Sequence, residues 1–77
     1  MNTQRRLARD YLDGATLSDF WDVVRQAKIT DADQQILDAR FVHGLTYTQI
    51  SQQLHISPEK VKQTIQKSYD KIALIIT

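Results

Sequence analysis

Basic and amide side chains are concentrated in one short stretch of the sequence, directly after its only proline. Gln63 and Gln66 carry amides, which can pair with adenine through two hydrogen bonds, and we interpret both as candidate base readers. Lys60, Lys62 and Lys67 lie among them, and their ammonium groups can reach guanine or a phosphate oxygen. The same pattern is also compatible with the solvated face of an ordinary amphipathic helix, so the surrounding elements have to decide.

Two helix-start signals place this stretch on the second of two short helices. Thr46 and Gln49 have the spacing of a capping box, and Ser57 followed by Pro58 is typical of an N-cap and first helical residue. The turn lies between them, at His55 to Ser57, because a residue before proline avoids the α-helical region. Two helices joined by a tight turn are typical of a helix-turn-helix. Helix starts often contact phosphate, so the candidate interface also includes Thr46, Tyr47 and Ser57.

Apolar residues four positions apart give each of these two helices a stripe that we expect to be buried. We expect the helix that precedes these two helices to pack into the same core. We expect this core to contain Leu37, Phe41, Ile50, Leu54, Val61 and Ile65.

The first part of the chain is predicted to contain a pair of helices. The first runs over residues 3–13, with Leu7 and Leu12 on its apolar side, and Gly14 is expected to end it as a left-handed cap. Thr16 and Asp19 have the spacing of a capping pair at the start of the second helix.

A third helix is expected to begin at Thr30 or Asp31 and to end at Gly44, which is a typical C-terminal residue. No strand-like alternation occurs in the sequence. We therefore predict an all-α fold, a small helical domain of four to five helices. It should be a single domain over residues 1–77, in which an N-terminal helical pair, 1–29, precedes the helix-turn-helix part, 30–77.

The charge of the chain is nearly balanced, but its distribution is not. Ten basic and nine acidic residues give a net charge of +1. Residues 57–77 contain four lysines against Glu59 and Asp70, which leaves an excess of +2 at the predicted second helix. Phosphate contacts would require this excess. Glu59 itself either complements the helix N-terminus, which we favour, or accepts a hydrogen bond from cytosine N4.

Signals of other protein classes are weak. The chain has no cysteine and two histidines, and it lacks a phosphate-binding glycine loop and a nucleophile elbow. We therefore expect no enzyme, no metal site and no cofactor. No stretch approaches the roughly 20 apolar residues of a membrane span, so we expect a cytoplasmic protein without membrane contact.

Apolar residues near the two ends of the chain exceed what the helix-turn-helix can bury. We expect Leu17, Phe20 and Val24 to form a self-association or partner surface with the tail, 72–76. A homodimer would present two recognition helices to neighbouring half-sites. In the alternative, the tail folds back on the N-terminal helices of its own chain.

From Thr30 to Ile72 the sequence resembles region four of bacterial sigma factors, a pattern that LuxR-type output domains share. The resemblance implies that the helix from Pro58 enters the major groove and that RNA polymerase is a possible partner. Three positions depart from the pattern: Gln49, Ser51 and Lys60 replace a glutamate, an alanine and a threonine. The matching residues are Ile36, Leu37, Arg40, Phe41, Gly44, Leu45, Thr46, Tyr47, Ile50, Ser57, Val61, Lys62, Lys71 and Ile72.

The function that we predict is therefore sequence-specific binding of double-stranded DNA by a bacterial or phage transcription regulator. Its reading helix would be the one that starts at Pro58. The alternative is a protein-interaction module that binds RNA polymerase, or a sigma or anti-sigma factor, without reading DNA itself.

Overall fold

A computed structural model of the protein describes residues 3–76, which form five α-helices and no β-strand. A π-helical segment, Asp38–Val42, extends the third helix without a break. The prediction of an all-α fold is confirmed. Within residues 3–76, no helix combines the length and hydropathy needed to cross a membrane. The helices are α1 (Thr3–Gly14), α2 (Leu17–Gln26), α3 (Asp31–Leu37), α4 (Tyr47–Leu54) and α5 (Pro58–Ile76).

The starts of α2 to α5 are capped by hydroxyl groups at the predicted positions. The side chains of Thr16, Thr30 and Thr46 accept hydrogen bonds from the backbone N–H three residues later, at 3.2, 3.3 and 3.1 Å. Ser57 Oγ accepts from the Lys60 N–H at 3.1 Å. The Gln49 side chain also accepts from the Thr46 N–H at 2.9 Å, which completes the capping box. Each cap satisfies a helix N–H group that has no partner within the helix.

The helix ends follow the predictions less closely. Gly14 is the last residue of α1, and only Gly44 of the two glycines has a positive φ, so the predicted left-handed cap at Gly14 is wrong. The connection between α1 and α2 needs only residues 15 and 16, because Thr16 is extended (φ −66°, ψ 162°) and already caps α2. Gly44 (φ 69°) follows the π-helical segment as predicted, and His55 (φ 58°) ends α4 in the left-handed conformation.

One hydrophobic cluster contains side chains from all five helices. Of the six residues expected in the core, four are buried, while Phe41 and Leu54 lie half-buried at its edge. The Phe41 ring lies between Phe20 of α2 and Tyr69 of α5, with centroid separations of 6.1 and 6.2 Å. The core therefore joins the N-terminal helices to the rest of the chain.

The helix pair with the largest contact is α1 and α5. Ala8 and Leu12 of α1 are buried. Outside the core, the Arg5 guanidinium donates two parallel hydrogen bonds to the Asp70 carboxylate, from Nε at 2.8 Å and from Nη2 at 2.9 Å. This fork connects the first turn of α1 to the second half of α5.

The predicted self-association surface is wrong for four of its eight residues, which are buried. Phe20, Val24 and Ile72 are at most 2% exposed, because α2 and the tail of α5 pack into the core of the same chain. Of the expected set, Leu17, Leu74 and Ile75 remain accessible, at 59%, 80% and 41%.

Candidate nucleic-acid interface

Residues 58–67 of α5 turn one face to the core and the other to solvent. Val61, Thr64 and Ile65 are buried against the preceding helices. Because an α-helix turns about 100° per residue, Gln63 points to the opposite side, and it is exposed. One of the two glutamines that we predicted to read bases therefore lies in the middle of the outer face.

Four polar side chains surround Gln63 on this face. Glu59 and Lys67, one turn to either side, lie within about 40° of it around the helix axis, and Lys60 and Gln66 within about 60°. Glu59, Lys60 and Lys67 are exposed, whereas Gln66 is half-buried. This outer face, defined by residues 59, 60, 63, 66 and 67, brings together half of the predicted contact residues, namely Lys60, Gln63, Gln66 and Lys67.

The lysines of this segment have no acidic partner. No salt bridge in the described part of the chain involves Lys60, Lys62 or Lys67. Lys62 is exposed but lies about 100° from Gln63, at the flank of the outer face. Long, flexible ammonium side chains in these positions can reach phosphates on both sides of a groove.

Glu59 belongs to the outer face, although the predicted interface leaves it out. It lies in the first turn of α5, where its charge also suits the helix dipole. The sequence could have shown this, because Glu59 is four residues from Gln63 and therefore lies on the same side of a helix. A carboxylate there can accept a hydrogen bond from cytosine N4, the second role considered for it.

The hydroxyl groups of Thr46 and Ser57 are occupied as acceptors by their own helices. A hydroxyl has one proton to donate as well as two lone pairs, so each can still donate a hydrogen bond to a phosphate oxygen. Both residues are exposed.

Tyr47 is half-buried and supports the guanidinium of Arg40, which lies 5.0 Å from the centre of its ring. Arg40 Nη1 donates a hydrogen bond to the Leu45 carbonyl at 3.0 Å, which holds the loop before α4. The neighbouring carboxylate of Asp38 lies near a different residue, with its Oδ2 atom 3.3 Å from His43 Nε2. Arg40 therefore acts within the fold, and the Tyr47 ring is its platform.

The turn between α4 and α5 is held from both sides. Ile50 of α4 and Val61 of α5 are completely buried against the core. Between them, His55 is exposed, Ile56 packs against the cluster, and the Ile56 N–H donates to the Ser51 carbonyl at 3.1 Å. This packing fixes the direction in which the outer face points.

Within residues 3–76, no group of three or more histidine, cysteine or carboxylate side chains could hold a metal ion. No buried side-chain polar atom there lacks a hydrogen-bond partner.

Comparison with known families adds one finding. The model of the family described as Sigma-70, region 4 matches residues 27–73, which is more than half of the 77-residue chain. The match covers α3, the π-helical segment, α4 and most of α5. No curated protein and no solved structure matches the chain. The family is one of DNA-binding helix-turn-helix domains with a regulatory role. The chain belongs to the sigma-70 region 4 family.

Proposed function

We propose that the protein is a bacterial or phage transcription regulator that binds double-stranded DNA sequence-specifically with the outer face of α5. The observation that carries this proposal is the polar set around Gln63, on a helix whose other side is buried and whose three lysines, 60, 62 and 67, have no salt bridge within residues 3–76. The predicted turn and caps support the helix-turn-helix assignment on which it rests.

The dimensions of α5 suit a major groove. An α-helix with its side chains is about 10–12 Å wide, and the groove is about 12 Å wide. Residues 58–67 span about 14 Å along the axis, enough for several base pairs. Gln63 and Gln66 would read adenine, Glu59 would accept from cytosine, and the three lysines would contact guanine or phosphate.

Contacts to the DNA backbone would come from the helix starts as well. Thr46 and Ser57 would donate their hydroxyl protons to phosphate oxygens, and Tyr47 would position the start of α4 through Arg40. With DNA as the target, the cytoplasm of a bacterial cell is the compartment that we propose. The chemistry requires neither metal nor cofactor.

Selection from a random duplex library tests the proposal. We expect the protein to recover one motif, and the Gln63→Ala protein to relax the preference at one position of it. Recovery of unrelated sequences would contradict specific reading. A palindromic motif with half-sites about 34 Å apart would indicate a dimer, and a single half-site would indicate a monomer.

A second candidate is a module that binds RNA polymerase, or a sigma or anti-sigma factor, without reading DNA. It is favoured by apolar side chains that remain exposed away from the outer face, namely Leu17 at 59% and Leu74 at 80%. Salt separates the two candidates, because phosphate-driven binding weakens steeply with salt and an apolar interface does not.

A further inference from the structure

An acid-rimmed groove lies at the opposite end of α5 from the DNA-reading face. It has a volume of about 730 Å³ and is formed by α1, α2 and the last residues of α5. Its apolar lining includes Leu7, Tyr11, Val23, Ile75 and Ile76. Its polar lining consists of Asp10, Asp19, Asp22 and Gln26. All of these residues lie outside 27–73, so the family match assigns the groove no role.

The apolar side chains of the groove are unusually accessible. Leu7 is 46%, Tyr11 39% and Ile75 41% exposed, although Val23 beside them is buried. Leu7 and Tyr11 are one turn apart on α1 and therefore point in the same direction. Such a row of apolar side chains in a shallow depression offers anchoring contacts to a partner surface, whereas a small-molecule pocket would enclose its ligand.

The charges of the residues that line the groove disfavour DNA as its occupant. None of the residues that line it is basic. Asp10 and Asp22 pair with Arg9 and Arg25 of their own helices in exposed contacts, which are weak and exchange readily. Asp19 has no salt bridge among the described residues. The groove lining therefore carries three carboxylates and no basic side chain around an apolar floor, which favours a cationic partner over phosphate.

We propose that this groove binds a basic amphipathic helix of a protein partner. The apolar side of such a helix would contact Leu7, Tyr11 and Ile75, and its lysine or arginine side chains would pair with the aspartates. A helix fits better than an extended strand, because residues 3–76 contain no sheet edge to which a strand could add.

Bound DNA and a bound partner helix would not compete for space. Ile75 follows Gln63 by 12 residues on the same helix, so the two sites are about 18 Å apart along α5. The groove is also independent of DNA reading, and a failure of one proposal leaves the other in place.

The probe for this proposal is a displayed library of random 18-residue peptides, selected on the whole protein. We expect the recovered peptides to be rich in lysine or arginine and to carry apolar residues at helical spacing. Amide shifts of the isotope-labelled protein, with one synthetic recovered peptide, should concentrate at the groove. Acidic peptides, no recovered peptides, or shifts elsewhere would overturn the proposal.

Two matched pairs of variants sharpen the test. Asp19→Asn with Asp22→Asn should weaken the peptide about fivefold, since each exposed ion pair contributes roughly 0.2–1 kcal/mol. Asp33→Asn is the control, because Asp33 occupies the same position after its capping threonine as Asp19 but lies outside the groove. Leu7→Ser should weaken the peptide, and Leu74→Ser, which alters an exposed leucine outside the groove, should not.

Thermal melting of each variant establishes that it is folded. Sedimentation of the protein without peptide measures whether it forms a dimer. A dimer that Leu7→Ser dissociates would show that a second copy occupies the groove, and this would overturn the assignment to a partner helix.

Discussion

The two halves of α5 differ in charge and in the helices that hold them. Residues 58–67 carry three lysines and one glutamate, a net charge of +2, and pack through Val61 and Ile65 into the core beside α3 and α4. The later residues, 68–76, pack against α1 and end beside a groove with three aspartates. A single helix therefore connects the proposed phosphate-binding surface to a groove whose lining contains no basic residue.

The comparison indicates why the helix is so long. A helix of ten residues is unstable alone in water, so the reading half depends on tertiary contacts. The second half supplies further contacts, because Ile72 and Ala73 are buried and Asp70 is bound by Arg5. The N-terminal helices, which the family match does not cover, thereby help to hold the proposed DNA-reading residues in place.

The largest effect should come from cutting one core contact in each half. Ile65→Ala and Ile72→Ala should each cost about 2–5 kcal/mol of unfolding free energy, because both side chains are completely buried. Urea titration measures the loss, and Leu74→Ala, at an exposed position of the same helix, should change little. If Ile72→Ala melted like the wild type, the second half would not support the first.

The next largest effect should be on DNA affinity, which we expect to depend on the first half of α5 and not on the groove. Gln63→Ala should cost about 1–3 kcal/mol on the preferred sequence and little on random DNA. Fluorescence anisotropy with both duplexes measures this, and Gln26→Ala, a glutamine at the groove, is the control. Equal losses on both duplexes would mean that Gln63 does not read bases.

The salt dependence should mark where the DNA-binding surface ends. Lys67→Ala should weaken binding to all sequences and reduce the slope of log K against log salt by about one unit. Lys71→Ala, one turn later, should change the slope less. An equal change at Lys71 would extend the phosphate-binding surface into the second half of α5.

The smallest effect concerns the fork between Arg5 and Asp70. The hydrogen bond from Arg5 lowers the pKa of the Asp70 carboxyl below its usual value, despite some burial that acts the other way. A carboxyl with a lowered pKa in the folded state stabilises the protein above its unfolded pKa of about 3.9, and this is lost as pH falls through the folded pKa.

Asp70→Asn should therefore lower the melting temperature slightly at pH 7, and the difference from the wild type should vanish in acid. Arg5→Gln should have the same effect at pH 7, and the double variant should lose no more than either single one. Additive losses would show that the two groups act separately.

The sequence alone determined where the helices begin. Thr16, Thr30, Thr46 and Ser57 each bond to an N–H three residues away, and such a contact depends on nothing distant in the chain. The same holds for the apolar stripe that turns Gln63 outward, because helical periodicity follows from spacing.

Only the tertiary structure decided which surfaces remain free. Ile72 and Ile75 are three residues apart and equally apolar, yet the core encloses the first completely and the second lies exposed at the edge of the groove. The sequence does not show which group the Arg40 guanidinium contacts, and in the structure it contacts the Tyr47 ring and the Leu45 carbonyl. These outcomes depend on residues distant in sequence or on the path of a loop. The local sequence pattern contains no information about which distant residues pack together or about the path of a loop.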